Sequence, residues 1–172
     1  MDLKALFSMT YGMFVVSSFK GETLNACTAN TVFQVTSEPP TIAVSINKGN
    51  LTHEYISASK RFGVSIIGQS APMTLIGNFG FKSGRDTDKF AAVKFERGVT
   101  GCPLLLEHTV ASLEAEVVGS FDVGTHTIFW GNLIEAKPMA TEEPMTYAYY
   151  HQVKRGSSPK AAPTFIPPSA KA

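Results

Sequence analysis

Cysteine is scarce in this sequence. Cys27 and Cys102 are the two present, too few for a disulfide framework and without the paired spacing of a zinc ribbon or a thioredoxin-type motif. Charge is scarce as well: fifteen Lys and Arg face fourteen Asp and Glu, a formal net charge of +1, and charged residues make up 17% of the chain. That balance gives no global field to hold a nucleic-acid backbone and excludes a partner chosen by bulk charge. No apolar run approaches the ~18 residues of a membrane span. The opening Met1–Phe7 lacks a basic region followed by an apolar stretch, so no secretory signal is expected, and with so few cysteines the expected compartment is the reducing cytoplasm. The four histidines (His53, His108, His126, His151) are scattered with no pair at i, i+4, so no metal site is expected. No G-x-G-x-x-G follows a strand, and P-loop, H-E-x-x-H and G-x-S-x-G motifs are missing.

What is present is β-rich. A chain of 172 residues with 44% hydrophobic residues suits one domain with a core of its own. Residues 13–19 are β-branched and aromatic and stop at Lys20-Gly21-Glu22, a turn. Residues 32–36 form a second run, which must end at Pro39-Pro40 because tandem prolines cannot donate ladder hydrogen bonds. Residues 41–46 and 62–67 read as two more strands. Residues 111–117 alternate apolar and polar, and residues 126–135 form a strand buried on both faces near its middle, with Trp130 in the core. Gly119 to Thr125 joins these two as a hairpin.

Helices are few. Asn50 or Thr52 caps a helix over 51–59, and Ser70-Ala71-Pro72 opens another running to about Asn78. Gly80 to Asp86 reads as a basic, glycine-punctuated loop in which Phe79 and Phe81 either shield a ligand or simply bury the loop. The architecture expected is mainly β, an antiparallel barrel with a few peripheral helices over residues 1–150. Residues 151–172 hold Lys154, Arg155, Lys160 and Lys171, no acid, and four of the ten prolines. They read as an arm, either lying on a second subunit or disordered.

Three segments in order carry a resemblance: Asn25-Ala26-Cys27-Thr28-Ala29-Asn30-Thr31 followed by Ser37-Glu38-Pro39-Pro40; Val44 through Asn47-Lys48-Gly49-Asn50-Leu51-Thr52; and Gly124-Thr125-His126-Thr127-Ile128-Phe129-Trp130-Gly131. Together they resemble the flavin reductase-like family, the FMN-binding split barrel, from about Gly12 to Glu135. Lys82 to Phe90 and Thr146 to Tyr150, with Ser158-Pro159-Lys160, resemble the subgroup of flavoredoxins and of flavin domains fused to rubredoxin. The chain carries no paired-cysteine rubredoxin module, so the expected acceptor is a separate molecule. Thr125 stands where many relatives have Asp before the histidine, a departure that bears on the protonation of His126.

The resemblance implies an FMN-dependent reductase that takes hydride from NADH or NADPH and passes electrons to free flavin or an electron-transfer protein. The alternatives are a flavoredoxin-like carrier without steady-state NAD(P)H activity and a ferric-complex reductase. It implies a homodimer whose two chains line each cleft. Small polar residues Cys27, Thr28, Ala29, Asn30 and Thr31 suit the flavin ring edge, and Ser45 and Asn47 face its side chain. For the phosphate, Lys48 beside the helix start at Leu51 and Thr52 offers a cation and an N-terminus together. Lys82, Ser83 and Arg85 offer a second cluster, and Phe81 beside them is a candidate to shield the flavin ring. Taken singly, Lys48 and Arg85 read equally as solvated loop charges. His126 is the catalytic candidate, placed by the resemblance near the nicotinamide, where an imidazole can donate a hydrogen bond or relay a proton. Cys27 reads as a buried structural thiol rather than a nucleophile.

Overall fold

The computed structural model describes residues 1–165. A short 3-10 helix, Leu3–Ser8, precedes nine strands: β1 (Phe14–Lys20), β2 (Thr23–Ala29), β3 (Val32–Ser37), β4 (Pro40–Asn47), β5 (Arg61–Ile67), β6 (Phe95–Arg97), β7 (Pro103–Leu105), β8 (Thr109–Asp122) and β9 (His126–Pro138). Three α-helices complete the described chain: α1 (Leu51–Ser59), α2 (Met73–Phe81) and α3 (Tyr147–Gln152). Seven strands form one antiparallel sheet in the order β2-β1-β5-β8-β9-β4-β3, and β6 pairs with β7 separately. Among the described residues no helix is long and apolar enough to cross a membrane.

Local chemistry explains the elements. Gly21, at φ 58°, makes the tight β1–β2 turn that closes the Lys20–Thr23 pair. The Pro39-Pro40 pair ends β3, and Pro40 opens β4, the strand position that tolerates a missing N–H. α1 begins after Asn50, whose side chain makes no capping bond, while Asn47 Oδ1 accepts from the Gly49 N–H at 2.8 Å. Thr52 lies inside the helix, fully buried, and accepts from Asn25 Nδ2 at 2.8 Å. α1 stops at Lys60, which takes φ 58° and returns its N–H to the Ile56 carbonyl.

Several details differ from the sequence expectation, which also did not anticipate β2, β6, β7 or α3. α2 extends to Phe81, so Gly80 and Phe81 are helical: the glycine lets the helix approach β2, where a Cβ would meet Thr28 at 3.4 Å. Ser70 does not cap α2; its hydroxyl and N–H both bond to the Glu142 carboxylate, and Pro72 takes the cap position. The β8–β9 hairpin pairs out to Asp122 and His126, past Gly119. Gly119 faces Trp130 and leaves room for the indole, which a Cβ would strike. Trp130 is therefore 37% exposed on the outer side of the sheet, not in the core, while Phe129 and Gly131 point inward.

The core has two parts. Val16, Val44, Ile56, Phe62, Val64 and Phe129 join α1 to the sheet. Met13, Ile67, Leu75, Phe79, Met145 and Tyr150 join α2 and α3 to its other side. Each such large side chain contributes about 1.5–3 kcal/mol on burial. Between these two clusters the sheet ends open onto a cleft.

Candidate active site

The cleft encloses about 360 Å³, within the usual size of small-molecule sites. One wall is β2, an edge strand. Among the described residues its outer side has no strand partner, and the Ala26 carbonyl accepts from the Lys89 side chain. A second wall is the end of β4 and the first turn of α1, and a third is the C-terminal end of α2 with Lys82-Ser83-Gly84. His126, the first residue of β9, stands at the rim, and Tyr147 and Tyr150 of α3 close the far side.

Residues Ser157 to Pro163 lie across the mouth. The Ala161 carbonyl accepts from Asn47 Nδ2 at 3.3 Å and from His126 Nε2 at 3.2 Å. Asn30 Nδ2 donates to Thr164 Oγ1 at 2.8 Å, and Thr164 Oγ1 donates to Tyr147 OH at 2.9 Å. Tyr147 OH also bonds Ser158 Oγ, and Tyr150 OH donates to the Ser157 carbonyl. The basic C-terminal stretch thus folds back on its own chain through these bonds. Its Pro167, Pro168 and Lys171 lie outside the described residues.

Most of the residues singled out in the sequence meet at this cleft. Cys27, Thr28, Ala29 and Asn30 line it from β2, and Ser45, Asn47, Leu51 and Thr52 from β4 and α1. Phe81, Lys82, Ser83 and His126 complete the set. Three do not line it. Thr31 Oγ1 donates to the Ser45 carbonyl at 3.2 Å, tying the β2–β3 turn to β4. Lys48 is ion-paired with Asp122 and Arg85 with Glu54. The cleft also holds residues to which the sequence reading gave no role: Asn25, Ile76, Tyr147, Tyr150 and Lys89. All but Ile76 lie within the segments that carry the resemblance, which was the one signal available for them.

Charge in the cleft is shifted by burial. Burial pushes the Cys27 thiol up, only partly offset by hydrogen bonding with Thr52 and Asn50 and by the nearby Lys89 charge, so Cys27 is a neutral thiol and not a nucleophile. Burial also pushes His126 down, against the Ala161 carbonyl, which favours the charged ring. The hydrogen bonds define its neutral tautomer. Ala161 O can only accept, so Nε2 carries the proton, and Nδ1 accepts from Thr125 Oγ1 at 2.9 Å. Among the described residues no group of three metal-ligating side chains exists.

Residues 6–157 match the family model described as "Flavin reductase like domain". This chain belongs to the flavin reductase-like family. It is 54% identical over 165 residues to the "High molecular weight rubredoxin" of Moorella thermoacetica, covering 96% of this chain and 72% of that one. It is 42% identical over 166 residues to the "Ferric-chelate reductase (NAD(P)H)" of Archaeoglobus fulgidus, 96% of this chain and 98% of that one. Among solved structures it is similar to the "NADH:FAD oxidoreductase SgcE6" of Streptomyces globisporus in complex with NAD and FAD fragments. That likeness has a TM-score of 0.74 and 27% identity, covering 84% of this chain and 85% of that one. The flavin reductase fold thus sets β2, α1, α2 and β9 around one cleft, and the family's chemistry has a place on this chain.

Proposed function

We propose that this protein is an FMN-binding reductase: it takes hydride from NADH or NADPH and passes electrons to free flavin or an electron-transfer protein. The observation that carries the reading is the cleft, where the open edge of β2, the uncapped first turn of α1 and the Lys82-Ser83 pair converge. The fit is chemical. A planar ring with amide-like edges finds backbone partners along Thr28 to Asn30. A phosphate finds the N–H groups of Leu51 and Thr52, which Asn50 leaves uncapped, and the Ser83 and Lys82 side chains. FMN, when bound, supplies the hydride-accepting chemistry.

The remaining roles belong to the chain. Gly80 lets α2 close on Thr28, giving the cleft a narrow floor. Thr31, Lys48 and Arg85 act from outside it: Thr31 holds β4 at Ser45, and the two cations anchor the β8–β9 hairpin and α1. His126 is the residue to position the nicotinamide by hydrogen bonding; Thr125 and Ala161 hold both ring nitrogens here, so Nε2 must first leave the Ala161 carbonyl.

The sheet, with β2 and β3 at its two ends, is read as a split barrel, and the protein as a cytoplasmic homodimer. Support for the dimer lies on the outer face. Phe33 pairs across to Ala43, Ala43 to Trp130, and Trp130 to Gly119, a row on one side of the sheet. Phe33 is 53% exposed and Trp130 37%, with Val118 and Phe121 of β8 also exposed, an apolar surface that a second copy would cover.

The acceptor has a second reading. The relative named as a ferric-chelate reductase matches nearly end to end, which favours a ferric complex as an acceptor besides flavin. Titration with FMN tests the function: quenching of flavin fluorescence near one FMN per chain supports it. A chain that leaves FMN fluorescence unchanged at micromolar concentration refutes it.

A further inference from the structure

The buried cation of the cleft has no anion among the described residues. Lys89 is 5% exposed and lines the cavity, and its Nζ donates to the Ala26 carbonyl at 2.9 Å and the Phe79 carbonyl at 3.2 Å. An ammonium has three N–H donors, and two carbonyls use two of them. Among the described residues no carboxylate forms an ion pair with it. Cys27, the nearest titratable group to act on it, is held neutral by burial. A buried, uncompensated charge is costly, and burial accordingly pushes Lys89 down. Holding α2 at Phe79 would need only a donor, not a charge.

The position suggests what supplies the missing anion. Lys89 meets β2, the edge strand, at Ala26, and lines the same cleft as Thr28 two residues on. On the flavin-binding reading, which this inference presupposes, that edge faces the pyrimidine side of the ring. We propose that Lys89 is the counter-charge for the negative charge that the flavin ring acquires on reduction. The balance is simple. Hydride brings two electrons and one proton from the nicotinamide, which leaves as its oxidised cation. The flavin ring, neutral when oxidised, gains one net negative charge, spread over N1 and the C2 carbonyl. No proton leaves Lys89; it acts by charge and hydrogen bonding, and so favours reduced over oxidised flavin. A phosphate contact would act differently, because the phosphate bears the same charge in both redox states.

The test is the midpoint potential of the full chain loaded with FMN and, separately, with riboflavin, read by anaerobic photoreduction against a reference dye. Lys89→Met is expected to lower the preference for reduced over oxidised flavin roughly ten- to hundredfold, the range of a charge-assisted hydrogen bond. That is about 30 mV per tenfold for a two-electron couple. The shift should be the same with either flavin, and Lys89→Arg should stay within about threefold of wild type. Lys89→Gln, which keeps donors for the two carbonyls but no charge, replaces Lys89→Met if the latter does not fold, with the same shift expected. An unchanged potential overturns the proposal. If FMN but not riboflavin then binds more weakly, Lys89 serves the phosphate; if only the melting temperature falls, it serves α2. A wild-type chain that binds neither flavin overturns the flavin reading itself, and this inference with it.

Discussion

Replacing Thr125 by Asp would invert the electrostatics of His126. In the present structure Thr125 Oγ1 lies 2.9 Å from Nδ1 and Nε2 donates to Ala161 O; burial favours the neutral ring, and in that ring Nδ1 is the acceptor. A carboxylate at that position cannot donate to Nδ1. It would require a proton there, and with Nε2 already protonated the ring would become imidazolium. Two unit charges ~4 Å apart attract by about 1 kcal/mol in water and about 4 kcal/mol at an effective dielectric constant of 20. Thr125 is exposed and His126 is 8% exposed, so solvent screening sets the gain near the lower figure. That corresponds to a roughly five- to tenfold shift of the ring's protonation equilibrium toward the charged form, since about 1.4 kcal/mol is tenfold. NMR titration of the His126 ring protons, assigned with His126→Asn, reads it directly. Flavin binding should be unaffected, because the other walls of the cleft do not involve Thr125. A titration that coincides with wild type would show that Thr125 does not set the state of His126.

Other outcomes follow from the same geometry. His126→Ala should leave FMN affinity within about twofold and slow NAD(P)H-driven flavin bleaching roughly ten- to thousandfold, the range of positioning or acid–base help; wild-type speed would make His126 a structural residue. Lys82→Ala should weaken FMN more than riboflavin by about 1.5–3 kcal/mol, a phosphate contact, whereas Lys48→Ala and Arg85→Ala should weaken both ligands little and equally; a riboflavin-sparing loss for either would place it on the phosphate. Trp130→Asp should convert a dimer to a monomer in sedimentation velocity, and a variant that still sediments as wild type would leave the Phe33–Trp130 row without that role. Burial holds both His53 and His126 below their ordinary value, so the unfolded chain binds more protons as pH falls below ~6.5. Stability should therefore be full above that pH and decline below it, with a smaller decline in His126→Asn; an identical decline in that variant would remove His126 from the account.

Much of the fold was legible because its signals are local. The prolines at 39–40, the glycine at 21 and the alternation in 111–117 each act over a few residues, and β1, β3, β4, β5, β8 and β9 stand close to where such signals put them, whereas β2, β6 and β7 were not anticipated. Trp130 was misplaced because sequence cannot show that Gly119 lies opposite it across the hairpin and opens space for an outward indole. The end of α2 was hidden for a similar reason: glycine normally weakens a helix, but at Gly80 its missing side chain lets α2 approach β2. At the site, polar runs such as Cys27 to Asn30 and Leu51-Thr52 were readable as small residues beside a turn or a helix start. The charges were not. Lys48 and Arg85 look available in sequence, yet Asp122 and Glu54, distant along the chain, engage them. Lys89 had no assigned role because nothing nearby in sequence reveals the Ala26 and Phe79 carbonyls that receive it. The return of Ser157 to Thr164 over the cleft depends on Asn30, Asn47 and His126, contacts no local pattern encodes.

The central claim is that this cleft brings nicotinamide and flavin together for hydride transfer. Anaerobic stopped-flow mixing of the FMN-loaded chain with NADH, and separately with NADPH, tests it most directly by following the flavin absorbance. The account predicts rapid single-turnover bleaching by at least one of the two, slowed in His126→Ala. Flavin that stays oxidised with both nucleotides, and bleaches only when a reduced electron-transfer protein is added, would contradict it and make the protein a carrier.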